Sequence, residues 1–207
     1  MQIQYRFPRV LAEFPSKEFY EGRLQTGNDD LEGLERLLQR TTFPWPRGPG
    51  GRLIPNVFVN CASEEDRGGQ SKSNEEQAKL TKRVVDLISS VPVGAPAHQD
   101  RPDQNRPEIA ILTPYRKQVD LVRRLVSSDV KVSTVDGFQG READFIVYTS
   151  VRSNFNNDIG FLDDRRRLNV AWTRAKYARV LIGDRRTLEG SELWKRAIED
   201  CHEVVLA

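Results

Sequence analysis

Short apolar runs alternating with amphipathic helical stretches predict an α/β domain built on a mostly parallel sheet with helices on both faces. Five β-rich runs, 56–62, 108–113, 130–135, 144–151 and 178–183, are apolar at nearly every position, as strands covered on both sides are. The stretches between them repeat their apolar residues at helical spacing. Such a domain places its ligands beyond the carboxyl ends of its strands, so the candidate site residues are expected at strand ends on one edge of the sheet.

Taken in order, residues 1–55 form a lead-in that ends in a proline- and glycine-rich surface loop over 41–55. After the first strand, the charged segment 63–73 reads as a solvated connection. A helix over 74–91 follows, with Leu80, Val84, Leu87, Ile88 and Val91 on one face and Ser73 with Glu76 as a capping box. The proline-rich stretch 92–107 carries little apolar content and reads as a flexible loop. A second helix over 114–127 buries Val119, Val122, Leu125 and Val126, with Pro114 in its first turn. A third spans 164–176, with Trp172 as a core residue. The last helix covers 188–199, and a short strand over 204–206 closes the chain. The core is thus 56–207, and the chain is read as one domain over 1–207.

Thirty-two Lys and Arg against 30 Asp and Glu leave a net charge of +2. That global field is too small to argue for nucleic acid, so any such binding must come from local patches. Cys61 and Cys201 are too few for a disulfide framework, and His202 beside Cys201 does not complete a four-ligand zinc set. No apolar run approaches the roughly 20 residues of a membrane span, and the first residues lack a signal-peptide pattern. The expectation is a soluble, intracellular protein, nuclear or cytoplasmic, with no membrane partner and no metal site of its own. The Gly-x-Ser-x-Gly elbow of serine hydrolases is also lacking.

Two stretches carry chemistry. Thr134-Val135-Asp136-Gly137-Phe138-Gln139-Gly140-Arg141-Glu142 joins two strands. Its glycines permit a sharp turn and close approach of a ligand, while Glu142 offers a carboxylate to ribose hydroxyls. A polar strand-to-strand turn without a ligand explains the same residues. The second stretch, around Arg165, Arg166, Arg167, Arg174 and Lys176, crowds cations onto a helix that must also pack. It reads either as a solvated basic face or as a source of an arginine for a nucleotide held mainly by another lobe. Arg174 is the candidate. A Gly-Lys dipeptide, which every Gly-x-x-x-x-Gly-Lys phosphate loop contains, occurs nowhere in the 207 residues.

Gln4-Tyr5-Arg6, Glu13-Phe14-Pro15-Ser16-Lys17, Ile111-Leu112-Thr113-Pro114-Tyr115, Phe138-Gln139-Gly140-Arg141-Glu142 and Arg167-Leu168-Asn169-Val170-Ala171 with Thr173-Arg174-Ala175 stand in this order. In content and spacing they resemble the second RecA-like lobe of superfamily 1 group B helicases, the group that contains the nonsense-mediated-decay helicase and senataxin. The resemblance runs from residue 4 to about residue 200. It implies a RecA-like, P-loop-NTPase-type fold and an AAA-type, ATP-dependent helicase whose C-terminal motor lobe is this chain. By that resemblance Tyr5 stacks near the adenine or ribose, and Arg6 reaches the γ-phosphate. Glu142 holds the ribose, Gln139 and Gly140 either sense the nucleotide or organise the cleft between lobes, and Arg174 is the arginine finger. Thr113, Tyr115, Ser133 and Thr134 contact the phosphates of single-stranded RNA or DNA.

The same resemblance implies that ATP with Mg2+ is bound in a complete two-lobe protein. The N-terminal RecA-like lobe, with the phosphate loop and the acidic pair that positions Mg2+, is the expected partner. The chain alone is expected to hold no nucleotide tightly and to be inactive. The alternative is a non-catalytic, helicase-like module that binds nucleic acid or protein.

Overall fold

The structure, a computed structural model, describes residues 2–27, 29–91 and 107–206. Elements run in the order β1 (Gln2–Gln4), α1 (Arg9–Phe19), β2 (Leu24–Thr26), α2 (Leu31–Gln39), β3 (Asn56–Asn60), α3 (Glu75–Ser89), β4 (Ile109–Thr113), α4 (Arg116–Arg123), β5 (Lys131–Thr134), β6 (Ala143–Thr149), α5 (Arg165–Trp172), β7 (Ala175–Gly183), α6 (Arg185–Leu188), α7 (Glu192–Glu199) and β8 (His202–Glu203). Six strands form one sheet in the order β5-β4-β6-β7-β3-β8. Every pairing within it is parallel. The all-apolar strands follow from this, because each needs both faces covered. Phe58, Leu112, Ile146, Tyr148 and Leu181 point to one side, where Phe14, Trp172 and Trp194 fill the core. Val57, Val59, Ile111, Phe145, Val147, Val180 and Ile182 point to the other, against Leu34, Leu38, Val84 and Ile88.

The lead-in is more ordered than its sequence suggests. β1 and β2 pair in parallel as a separate two-stranded sheet. α1 lays Leu11, Ala12 and Phe14 on the first core despite Pro15 inside it, and Phe14 sits 5.8 Å from the Trp172 ring. α2 covers the opposite face through Leu34 and Leu38, its start capped by Asp30, which accepts from the Gly33 amide at 2.8 Å. The loop 41–55 is no simple surface excursion. Phe43 and Trp45 are buried, Trp45 stacks on Phe145 at 5.9 Å, and its indole donates to Thr41 Oγ1 at 2.8 Å. Burying two large aromatic rings outweighs the loop character of the prolines.

Other boundaries move for local reasons. Asn74, not Ser73, caps α3, accepting from the Gln77 amide at 3.0 Å. Pro114 lies outside α4, whose N-cap is Tyr115. The helix expected over 164–176 stops at Trp172, because the Thr173 amide closes on the carbonyls of Asn169 and Val170 and the Arg174 carbonyl then accepts from Ala143 to start the β7 ladder. Arg174 therefore sits in a tight helix-to-strand turn, and Lys176 in a strand. The last helix splits into α6 and α7 around Gly190. The final strand is His202–Glu203 rather than 204–206. Segment 63–73 is not fully solvated, since the Glu65 side chain is 9% exposed. The flexible loop expected over 92–107 lies, up to 106, outside the described residues. Cys61 and Cys201 are free thiols. Burial pushes the Cys201 thiol up to about 12. Among the described residues no helix is long and apolar enough to cross a membrane.

Candidate nucleotide and nucleic-acid edges

Parallel pairing puts Glu142, just before β6, beside Arg174, just before β7, since Ala143 pairs with Ala175. Both residues therefore lie at the amino edge of the sheet. β1 delivers Arg6 to the same place. The Gln4 side chain shapes that delivery: its Oε1 accepts from the Arg6 amide at 2.7 Å and the Phe7 amide at 3.0 Å, while its Nε2 donates to Thr26 Oγ1 at 2.8 Å. Tyr5 is left 69% exposed. Its ring lies over Gly27, where a Cβ would come within 2.3 Å of it, so a side chain at 27 would displace the tyrosine.

Arg6 Nε donates to Glu142 Oε2 at 2.5 Å, and its Nη1 donates to the Thr173 carbonyl at 3.0 Å. Lys176 Nζ stands 3.6 Å from the other Glu142 oxygen and 3.8 Å from Asp144. The hydrogen bond from Arg6 holds the Glu142 carboxyl below its ordinary range, against the opposing effect of burial. Arg174 is held differently. Its acceptors are the Val170 carbonyl at 3.0 Å, Thr173 Oγ1 at 2.9 Å and the Arg141 carbonyl at 3.4 Å. Burial and the neighbouring positive charge of Arg6 both lower its pKa. Two guanidinium groups therefore share this edge, Arg6 bonded to a carboxylate and Arg174 hydrogen-bonded to neutral acceptors. Gln139 is exposed in the preceding turn, and Gly140 has φ +81°, a conformation that favours glycine.

The other predicted residues lie at the opposite edge. Thr113 and Thr134 are paired at the carboxyl ends of β4 and β5. The predicted residues therefore lie at strand ends of both kinds, and the expectation that they share one edge is corrected: the turn 135–142 and α5 each run from the carboxyl edge back toward the amino edge. Ser133 and Thr134 are half-buried, and Gly137 leaves room for their hydroxyls, 2.8 and 3.1 Å from where its Cβ would stand. Thr113 and Tyr115, by contrast, are buried, and the Tyr115 hydroxyl lies 3.5 Å from Arg152 Nη1. Direct contact between these two side chains and a ligand is thus corrected to a supporting place beneath the edge. Burial also raises the tyrosine pKa.

Sequence reasoning gave no role to Arg152, Gln4 or Lys176. Arg152 is buried, with Nε 2.9 Å from Glu65 and Nη2 2.9 Å from Asp158. Gln4 and Lys176 carried a signal, one as the first residue of the Gln4-Tyr5-Arg6 segment and the other as a member of the basic cluster around Arg174, and Arg152 carried none.

A family model described as an AAA domain matches residues 1–186. The regulator of nonsense transcripts 1 homolog of Neurospora crassa is 39% identical over 206 residues, which cover 94% of this chain and 17% of that protein. The ATP-dependent helicase upf1 of Schizosaccharomyces pombe is 35% identical over 212 residues, covering 97% of this chain and 21% of that protein. The chain thus spans about a fifth of the curated relatives it matches. Among solved structures, the C-terminal domain of a possible DNA helicase from Lactobacillus plantarum WCFS1 superposes with a TM-score of 0.51 at 16% identity, covering 97% of this chain and 98% of that one, a likeness of fold. With nine-tenths of its length matched by the family model, the chain belongs to the AAA domain family.

Proposed function

We propose that this chain is the C-terminal motor lobe of an ATP-dependent helicase acting on single-stranded RNA or DNA, and that it completes an ATP site whose phosphate loop belongs to another lobe. The observation that carries the reading is the convergence of Arg6, Glu142 and Arg174 at one edge, where Glu142 pairs with Arg6 and Lys176 while Arg174, whose charge is opposed by that of Arg6, is hydrogen-bonded to neutral acceptors. An anion arriving between the lobes would relieve that repulsion. Arg174, fixed by three neutral acceptors, would then stabilise charge on the transferring phosphoryl group, and Arg6 would exchange Glu142 for phosphate. Glu142, still facing Lys176, would be free to accept from ribose hydroxyls, with exposed Tyr5 beside the base. Bound ATP with Mg2+ would supply the phosphoanhydride and its counter-charge. Ser133 and Thr134 at the far edge would take phosphates of a single strand, contacts that carry no sequence information.

The test is Arg174→Ala in a protein that joins this chain to a phosphate-loop lobe. Loss of a finger arginine lowers kcat by about 10³- to 10⁵-fold while the fold survives. Turnover equal to that of the unsubstituted protein would sink the assignment and favour a non-catalytic binding module.

A further inference from the structure

The loop between β6 and α5 holds up an aromatic ring for which the nucleotide edge has no use. Phe161 is 57% exposed, yet it is not loosely placed. Its ring meets the edge of buried Tyr115 at 6.3 Å, and the Arg167 guanidinium lies 5.9 Å from its centroid. Arg167 is itself fixed by a two-pronged pair with Asp136, at 3.0 and 3.0 Å. The loop below is braced as well. Asp158 accepts from the Gly160 amide at 2.9 Å, Leu162 accepts from the Trp194 indole at 2.8 Å, and Arg152 Nη1 fills the space a Cβ on Gly160 would need. Gly160 has φ +52°, so the backbone that presents Phe161 depends on glycine twice over.

Place gives the ring its meaning. Tyr115 follows β4 by two residues and Asp136 follows β5 by two, so Phe161 stands at the carboxyl edge close to Ser133 and Thr134. Exposed Arg116, at the start of α4, and Arg166, at the start of α5, add positive charge along that edge. A fixed, exposed ring backed by a guanidinium and flanked by arginines has the parts of a base-stacking platform on a phosphate-tracking surface. We infer that Phe161 stacks on a base of the single strand whose phosphates Ser133 and Thr134 contact. This inference rests on the nucleic-acid part of the proposed function.

Stacking requires a base, whereas phosphate contacts do not. Fluorescence anisotropy with oligo(dT), oligo(U) and an abasic oligomer of equal length, at fixed salt, separates the two. For Phe161→Ala, affinity for the base-bearing oligomers should fall by about 5- to 140-fold per stacked base. Affinity for the abasic oligomer should hold, and Phe161→Trp should restore binding. Comparing oligo(U) with oligo(dT) shows which nucleic acid uses the platform more. Undiminished oligo(dT) and oligo(U) binding by Phe161→Ala, or equal loss with the abasic oligomer, overturns the stacking role while leaving nucleic-acid binding in place. Failure of the unsubstituted chain to bind any of the three would overturn both readings together.

Discussion

Replacing Arg152 by alanine tests the most consequential polar contact that the sequence concealed. The side chains of Arg152 and Glu65 are 8% and 9% exposed and lie 2.9 Å apart. Burial works against the charge on Arg152, and its bonds to Tyr115 and Asp158, helped by Glu65, outweigh that effect, so its pKa is raised. Removing the guanidinium would leave Glu65 in place with two donors, the Ser153 amide at 2.9 Å and Asn154 Nδ2 at 3.4 Å. Asp158 is well exposed and loses little. An uncompensated buried charge costs about 3–5 kcal/mol, and the two remaining donors put the expected loss near the lower figure. For a domain of this size that is a fall in Tm of roughly 6–12 °C. Arg152→Ala, Glu65→Ala and the double variant, followed by urea denaturation, form the assay. The double variant should be more stable than the summed single losses by about 1–3 kcal/mol, because removing both charges strands neither. Additive costs, or a loss below about 1 kcal/mol for Arg152→Ala, would refute the claim that this pair is desolvated and coupled.

Three further outcomes are expected. Glu142→Gln should cost at most about 1 kcal/mol near neutral pH, because the Arg6–Glu142 pair is partly exposed. Since the Glu142 pKa is lowered in the fold, that contribution is present in full above the ordinary value of 4.5 and lost as pH falls through the lower folded value, so the two chains' stabilities should converge in acid denaturation curves. Gly190→Ala should lower the urea midpoint, by about 1–3 kcal/mol in stability, since the new Cβ would stand 2.6 Å from the Asn157 carbonyl oxygen and 3.1 Å from that of Thr187. Trp172→Ala should cost about 3–5 kcal/mol in the same experiment, because its buried ring contacts Phe14, Tyr148 and Trp194 and lies 4.5 Å from the Arg179 guanidinium.

The strands were legible because burial on both faces writes itself as an unbroken apolar run, as in Ile109–Thr113. Helix ends were less so. Ala175 to Tyr177 continue a helical composition, yet pairing of Ala175 with Ala143 overrides it. α1 was hidden by Pro15 and by its short apolar stripe. At the site, Arg6, Glu142 and Arg174 were readable as residues, but their common edge depends on the pairing of Ala143 with Ala175 and on a side-chain bond from Arg6 to Glu142, 136 positions away. Arg152 gave no local signal at all, since its partner Glu65 comes from another loop. Tyr115 was misjudged for a related reason: an aromatic after a strand end reads the same whether it faces solvent or, as here, lies under a loop.

The two edges differ in how their cations are held. At the amino edge, three cations, Arg6, Arg174 and Lys176, face two carboxylates, Glu142 and Asp144, and Arg174 is the one bonded only to neutral groups. At the carboxyl edge, Arg167 is paired with Asp136 and its guanidinium lies 5.9 Å from the centroid of the Phe161 ring. The same two segments run between the edges, for 135–142 begins beside Asp136 and ends at Glu142, while α5 begins near Arg167 and leads into the turn that holds Arg174. Asp136–Arg167 ties these segments at one end, and the bond from Arg174 to the Arg141 carbonyl ties them at the other. Asp136, Arg167 and the nearby Phe161 ring at one edge and Arg174 at the other therefore belong to one pair of segments bonded at both ends.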